Sequence, residues 1–225
     1  MNKFTRRTVI AAACAAAAMT FGPMSFAQQA PEKKDVTIAV GGKSLYYYLP
    51  LSIAEQLGYF KDEGLNVKIV DFQGGSRSLQ AVVGGSADVV SGAFEHTISM
   101  QAKKQPMTAF VLQGRAPQLA LVVSNKTMKD YKQLSDLKGK KVGVTAPGSS
   151  SQMVANFILK KGGLGPKDVA FIGVGSSSGA VSAIRSGQID ALINLDPVIT
   201  ILLKNGDAKL CLLYTSDAAD DRISV

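Results

Sequence analysis

Three short loops rich in glycine and serine are the clearest places where this sequence could bind a small polar molecule. They are Gly74-Gly75-Ser76, Gly148-Ser149-Ser150 and Gly175-Ser176-Ser177, and each lies between an apolar, β-type run and a helical pattern. A helix N-terminus offers unpaired N–H groups and a positive dipole end, glycine permits close approach, and serine adds hydroxyl donors. This combination suits a carboxylate, sulfonate or nitrate group. Serine also caps helices, but the repetition in three loops favours one shared cleft.

Aromatic and charged side chains follow other predicted strands. Tyr46-Tyr47-Tyr48 comes after the first strand, where tyrosines can cover the organic part of a ligand or pack partly under the next helix. Glu95 and His96 follow the third strand, and the Glu95 carboxylate suits either a ligand amine or the capping of the next helix. Arg77 and Arg115 suit an anion, or else they are simply solvated.

Two partial motifs for nucleotide binding fail, and one catalytic motif is weak. Gly143 and Gly148 have the spacing of a phosphate-binding P-loop, but Ser149 stands where that motif needs lysine. The dinucleotide fingerprint near Gly175 fails because Ser178 replaces a glycine. Gly175–Gly179 matches the nucleophile elbow of serine hydrolases, with Ser177 as nucleophile, yet no histidine follows it.

Composition excludes several classes of function. The 225-residue chain has one histidine and two cysteines, which excludes a metal site built on several histidines. Its net charge of +8 hints at anionic partners. The lysines of segment 138–141 lack interleaved aromatics, which indicates a solvated turn rather than a nucleic-acid surface.

The two ends of the chain differ from its middle. Residues 1–27 have a basic start, a short apolar run and small residues before Gln28, as in a secretory signal peptide. Thr5–Ile10 also resembles a twin-arginine signal, so both export routes stay open. Residues 211–221 resemble the translation of a sequencing adapter, with an acidic natural tail as the alternative. We therefore expect residues 211–225 to be non-native. Residues 28–210 contain no cysteine and keep a net charge of +7.

Residues 36–210 alternate short apolar strands with helical stretches, which predicts an α/β class with mostly parallel sheets. Two such runs meet at residues 113–117, so we expect lobe I over 36–114 and lobe II over 115–210. The predicted strands are 36–40, 67–72, 88–92, 110–112, 119–123, 141–145, 169–174 and 189–195. The first predicted helix has Pro50 in its first turn and stops at Gly58. The other predicted helices cover 79–83, 96–103, 153–161 and 180–184. Ligands of open α/β sheets bind at the carboxyl ends of strands, where the glycine- and serine-rich loops lie.

Several segments give the sequence a family resemblance. They include Leu57–Leu65, Gly84–Val89, Asp136–Val144 and Ala183–Ala191. In these the chain resembles the periplasmic substrate-binding proteins of ABC importers in the nitrate/sulfonate/taurine group, which is related to the thiamine-pyrimidine-precursor binders. The resemblance implies a two-lobe, type II periplasmic-binding-protein-like fold, truncated at its C-terminus. It further implies a monomer in the periplasm that binds a small anionic or zwitterionic solute and delivers it to a membrane permease.

The same resemblance places the ligand in the interlobe cleft, without catalytic residues, metal or cofactor, and without nucleic acid as a partner. The expected ligand-binding residues are Gly42, Tyr46, Tyr47, Gly74, Gly75, Ser76, Ala93, Phe94, Glu95, Thr145, Gly148, Ser149, Ser150, Ser151, Ser176, Ser177 and Asp196.

Two other classes of function remain as alternatives. One is an enzyme on this fold, either a serine hydrolase using Ser177 or a protein like the thiamine pyrimidine synthases. Those synthases carry an iron site with a cysteine-rich motif, whereas residues 28–210 have no cysteine. The other is the sensing domain of a transcription regulator, against which the export signal and the lack of a DNA-reading helix pattern argue.

Overall fold

The computed structural model describes residues 31–116 and 118–214. The predicted signal peptide (1–27) and most of the adapter-like tail (215–225) lie outside these residues. Contacts along the chain divide it between Glu32 and Lys33, and the sheets and the cleft below all belong to the second unit. No helix in the described ranges is both long enough and apolar enough to cross a membrane.

The first sheet is small and entirely parallel. Its strands are β1 (Asp35–Val40), β2 (Asn66–Asp71) and β3 (Val89–Ser91), in the order β2-β1-β3. Val40 at the end of β1 pairs with Asp71 and with Ser91, so all three strands end at one edge. The loops that follow these strands are therefore neighbours, as the predicted parallel arrangement requires.

The helices of this half connect the strands. They are α1 (Leu49–Leu57), α2 (Tyr59–Asp62), α3 (Gly75–Val83) and α4 (Glu95–Ala102), with a 3₁₀ helix at Tyr46–Tyr48. Pro50 lies in the first turn of α1, where its missing N–H is no loss. Gly58 ends the helix in the left-handed conformation, with φ of 81°. Both boundary predictions are confirmed.

The second sheet has five strands and mixed direction. Its strands are β4 (Leu119–Ser124), β5 (Lys141–Val144), β6 (Ala170–Gly173), β7 (Ala191–Asn194) and β8 (Ala208–Tyr214), in the order β6-β5-β7-β4-β8. Strand β5 is parallel to β6 and β7, whereas β4 is antiparallel to β7 and β8. The expectation of mostly parallel sheets is confirmed, because four of the six strand pairings are parallel, whereas the antiparallel pairings of β4 were not predicted. The helices of this half are α5 (Ser150–Lys161), α6 (Ser178–Ser186) and α7 (Val198–Lys204), with a 3₁₀ helix at Leu134–Leu137.

Strand β4 is the centre of the second core. All six of its residues are buried, and alternate side chains point to opposite faces of the sheet. Leu119, Leu121 and Val123 pack with α5, while Ala120 and Val122 pack with α6 and α7. Helices therefore cover both faces of this sheet, which explains why β4 is an unbroken apolar run.

Strand β8 enters the adapter-like segment. In its ladder with β4, Leu210 pairs with Val122 and Leu212 pairs with Leu121. Cys211 is thus the extra residue of a β-bulge. Its side chain packs partly buried against the core, and burial raises the pKa of its thiol.

One predicted strand is wrong. Phe110–Leu112 forms no strand, and each of these side chains is more than 70% exposed. The residue types suit a strand, but no partner strand pairs with them among the described residues, and a strand exists only in a ladder. Helix α3 and helix α5 begin several residues earlier than predicted, and α2, α7 and β8 were not predicted.

Candidate functional site

A cleft of about 370 Å³ lies between loops of the two sheets. That volume lies within the range of small-molecule sites. The part of the chain that forms the first sheet lines it with Gly41, Leu45, Tyr47, Tyr48, Gly75, Gly92, Ala93, Phe94 and Glu95. The segment between the sheets contributes Gly114, Arg115 and Ala116. The part that forms the second sheet contributes Leu119, Thr145, Ser150, Met153, Val154 and Leu195. Seven of the seventeen predicted ligand-binding residues line it, namely Tyr47, Gly75, Ala93, Phe94, Glu95, Thr145 and Ser150.

The three consecutive tyrosines have three different surroundings. A 3₁₀ helix turns about 120° per residue, so successive side chains point in different directions. Tyr46 is 62% exposed and does not line the cleft, whereas Tyr47 does. Tyr48 is buried, and its hydroxyl accepts a hydrogen bond from the Gly41 N–H at 3.2 Å. Burial raises the pKa of Tyr48 to about 12, so Tyr48 is a neutral part of the core.

Tyr47 is held in place through the segment that joins the two sheets. Its carbonyl oxygen accepts a hydrogen bond from Gln113 Nε2 at 2.6 Å. Gln113 Oε1 in turn accepts one from the Ser91 hydroxyl at 2.8 Å. Gln113 therefore ties the end of β3 to the turn that carries Tyr47. Burial raises the pKa of Tyr47, and the negative charge of Glu95 raises it further.

Glu95 and His96 begin helix α4 beside the cleft. Glu95 Oε1 and His96 Nε2 are both buried without a hydrogen-bond partner. No side chain caps α4, so the alternative in which Glu95 caps this helix is not what the structure has. His96 is 6% exposed and does not line the cleft. Burial lowers the pKa of His96, an effect that the charge of Glu95 opposes.

Most hydroxyls of the Thr145–Ser151 loop bond to the loop itself. The hydroxyls of Thr145, Ser149 and Ser151 lie within 3.2 Å of one another. Ser151 Oγ also accepts the Thr145 N–H at 3.0 Å, and Ser149 Oγ donates to the carbonyl of Ala146. Ser149, Gly148 and Ser151 therefore shape the start of α5 and do not line the cleft, which leaves Thr145 and Ser150 there.

Four of the predicted residues lie where the loops of the two sheets touch, rather than along the cleft. The Ser76 hydroxyl donates to the Pro147 carbonyl at 2.8 Å. A Cβ on Gly42, whose φ is 119°, would lie 2.1 Å from Ser176 Oγ. A Cβ on Gly74 would lie 3.0 Å from Ala146. Glycine at positions 42 and 74 thus permits the close approach of the two loop sets.

Ser177 and Asp196 have local structural contacts. Ser177 is the N-cap residue of α6 and does not line the cleft. Asp196 Oδ1 accepts hydrogen bonds from the Thr200 N–H and hydroxyl, and its carbonyl oxygen accepts the Tyr46 N–H at 3.0 Å. Asp196 therefore supports α7 and joins the two loop sets from outside the cleft.

Sequence reasoning missed the apolar lining. Leu45, Leu119, Met153 and Leu195 are ordinary core-type residues in the sequence, and only the fold brings them to the cleft. Arg115 was one of two arginines considered for an anion. The sequence analysis did not distinguish it from Arg77, which does not line the cleft; its position in the segment between the two predicted lobes is the signal that separates the two.

The geometry defines a class of fold. A sheet of order β2-β1-β3 and a second sheet, joined through residues 113–118 and facing a shared cleft with their strand ends, make a two-lobe, type II periplasmic-binding-protein-like fold. The sequence profile described as NMT1/THI5 like matches residues 46–216. The chain belongs to the NMT1/THI5-like family.

Three relatives illustrate the range of similar proteins. A solved structure from Bordetella bronchiseptica RB50 is 63% identical with a TM-score of 0.79, over 81% of this chain and 57% of that one. The alkanesulfonate-binding protein SsuA from Xanthomonas axonopodis pv. citri, bound to MOPS, is 24% identical with a TM-score of 0.66, over 85% of this chain and 64% of that one. The 4-amino-5-hydroxymethyl-2-methylpyrimidine phosphate synthase of Schizosaccharomyces pombe is 27% identical, over 72% of this chain and 45% of that one. The chain thus spans about half the length of these relatives.

Proposed function

We propose that this protein is the extracytoplasmic solute-binding receptor of an ABC importer. It would bind a small anionic or zwitterionic organic solute between lobes 36–114 and 115–210 and deliver it to a membrane permease as a monomer. The observation that carries the proposal is the cleft at the carboxyl ends of strands from two sheets. The shared fold with an alkanesulfonate-binding protein supports it.

The proposed location of the protein is the periplasm, to which it would be exported by the Sec or the twin-arginine route. The support is the signal-like pattern of residues 1–27, which precedes the described residues. Residues 211–225 stay a proposed non-native tail, although residues 211–214 are part of β8.

The proposed action is binding without chemistry. The synthase activity named for the fission-yeast relative is the competing function. Within the described ranges, no three His, Cys, Asp or Glu side chains converge as metal ligands would. For a serine hydrolase, Ser177 would have to line the cleft, and it does not. Labelling of Ser177 by a fluorophosphonate would favour the hydrolase instead.

Ligand-dependent thermal stability tests the proposal. The full chain is heated with sulfonates, taurine, nitrate, bicarbonate, carboxylates and aminopyrimidines in turn. A solute that binds only the folded state at 100 times its dissociation constant stabilises that state by about 2.7 kcal/mol, which raises Tm measurably. Absence of a shift with every compound would count against a solute receptor.

Adjacent tyrosines provide a matched pair of variants. Tyr47→Ala should abolish most of the ligand-induced shift in Tm, because Tyr47 lines the cleft. Tyr46→Ala should keep it, because Tyr46 is exposed outside the cleft. Equal losses in the two variants would mean that the solute binds elsewhere.

A further inference from the structure

Among the described residues, Glu95 is the acidic group that lines the cleft, and one of its carboxylate oxygens has no hydrogen-bond partner there. Glu95 Oε1 is buried without a hydrogen-bond partner. A buried carboxylate oxygen without a donor is unfavourable, because it has lost water and gained nothing in exchange. Glu95 also begins helix α4, where the dipole favours its negative charge.

The described part of the protein offers Glu95 no cation. The ion pairs found there join Lys33 to Asp88, Lys43 to Glu55 and Arg185 to Asp207. The neighbouring hydroxyl, Tyr47, makes no hydrogen bond to Glu95 Oε1. The described residues therefore leave this oxygen open to a donor on a molecule that fills the cleft.

The rest of the cleft wall suits an organic molecule with an anionic group. Phe94, the sequence neighbour of Glu95, and Tyr47 line the same cleft, and Leu119 and Leu195 add apolar surface. On the other lobe Ser150 is the first residue of helix α5. Arg115 lines the same cleft, and no ion pair of the described residues involves it.

We propose that the solute is a zwitterion whose protonated amine donates to Glu95 Oε1 while its acidic group faces Arg115 and Ser150. This rests on the proposed receptor function and narrows it, because nitrate and simple alkanesulfonates lack an N–H donor. The Glu95 carboxylate selects for the amine by giving it a charged, desolvated acceptor.

Solutes that differ in a single group test this selection. Taurine and isethionate differ only in amine against hydroxyl, and so do β-alanine and 3-hydroxypropionate. Calorimetric titration of the full chain should show the amine member binding at least about tenfold more tightly in a pair that binds, since hydrogen bonds to charged groups are the strong ones. Glu95→Gln should remove that preference. Asp130→Asn, which removes one exposed carboxylate outside the cleft, should keep it.

The Tm of the ligand-free protein tests the role of Glu95 without depending on which solutes are chosen for titration. Glu95→Leu replaces the unpartnered carboxylate with an apolar side chain of similar size. Its Tm without ligand should exceed that of the wild type by a few degrees, because relief of the buried oxygen outweighs the lost helix-dipole interaction. A lower Tm would show that Glu95 has a structural role, and it would overturn the inference.

The outcomes separate the two proposals. If isethionate or ethanesulfonate binds as tightly as taurine and Glu95→Gln has no effect, the receptor function stands and the selection by Glu95 is overturned. If no compound of the wider panel binds, the receptor function fails, and the Tm of Glu95→Leu alone decides whether Glu95 awaits a partner.

Discussion

At the scale of single residues, His96 lies in surroundings that favour the neutral form of its ring. Its side chain is almost fully buried, and Nε2 has no hydrogen-bond partner. A Cβ on Gly75 would lie 3.3 Å from this nitrogen, so the imidazole packs directly beneath the start of α3. Burial without an acceptor favours the neutral ring, and the Glu95 charge opposes this only in part.

Because of His96, the free energy of unfolding should therefore fall as the pH is lowered. Because its pKa in the folded protein lies below 6.5, the unfolded state takes up the proton first as pH falls. The stability that the neutral ring contributes is complete above pH 6.5 and is lost as pH falls towards the folded pKa. Urea unfolding of the wild type at pH 7.5 and 5 should show a larger loss than the same measurement on His96→Gln. Parallel losses in the two proteins would contradict the assignment.

At the scale of elements, two adjacent serines at the start of helix α5 differ in whether their hydroxyls bond to the loop that precedes the helix. Ser150 and Ser151 are neighbours at the beginning of α5, yet only Ser151 is bonded within the loop, to Thr145 N and Oγ1. Ser150 lines the cleft. One serine thus stabilises the turn, while the other is available to a solute.

Alanine at the two positions should separate stability from binding. Ser151→Ala should lower the free energy of unfolding by about 1–3 kcal/mol, because it leaves the buried Thr145 N–H without its acceptor. Ser150→Ala should change it by less than about 0.5 kcal/mol but weaken solute binding. Denaturant titration together with calorimetry checks both. The reverse order would mean that the loop hydroxyls had been assigned wrongly.

The elements also show how far sequence reasoning reaches. Val36–Val40 and Phe110–Leu112 look alike as apolar, β-type runs, but only the first has partner strands. Pairing is a tertiary property, so residue types alone could not distinguish them. Similarly, the glycine–serine loops were placed correctly after their strands, whereas the choice of Ser150 over Ser151 depends on bonds within the folded loop.

At the scale of the whole molecule, the two lobes meet through backbone and small side chains. The Ser76 hydroxyl bonds to Pro147 O, and the Tyr46 N–H bonds to Asp196 O. The unsubstituted Cα atoms of Gly42 and Gly74 allow this closeness. These contacts hold the two loop sets together, so removing one should favour a more open arrangement.

Ser76 and Ser78 of helix α3 allow the effect of a contact between the lobes on solute affinity to be tested. Ser76→Ala removes a hydrogen bond between the lobes, so solute affinity should fall about two- to tenfold as the closed state loses population. Ser78→Ala removes a bond of the same length to Gly75 O, within the same helix. That control should leave affinity nearly unchanged. Small-angle scattering should show a larger radius of gyration without ligand for Ser76→Ala only, and an unchanged radius in both variants would argue against an interlobe latch.

The turn of three tyrosines has an optical consequence. The sequence has no tryptophan, so tyrosine dominates its ultraviolet emission. Tyr47 and Tyr48 both line the cleft, although Tyr48 is mostly buried in the core, and their rings lie edge-on with 5.1 Å between the centroids. A solute that enters between Tyr47 and Glu95 changes the polarity and charge around this tyrosine pair, and so changes the emission of the protein. The protein thus contains an unlabelled optical reporter of its own occupancy.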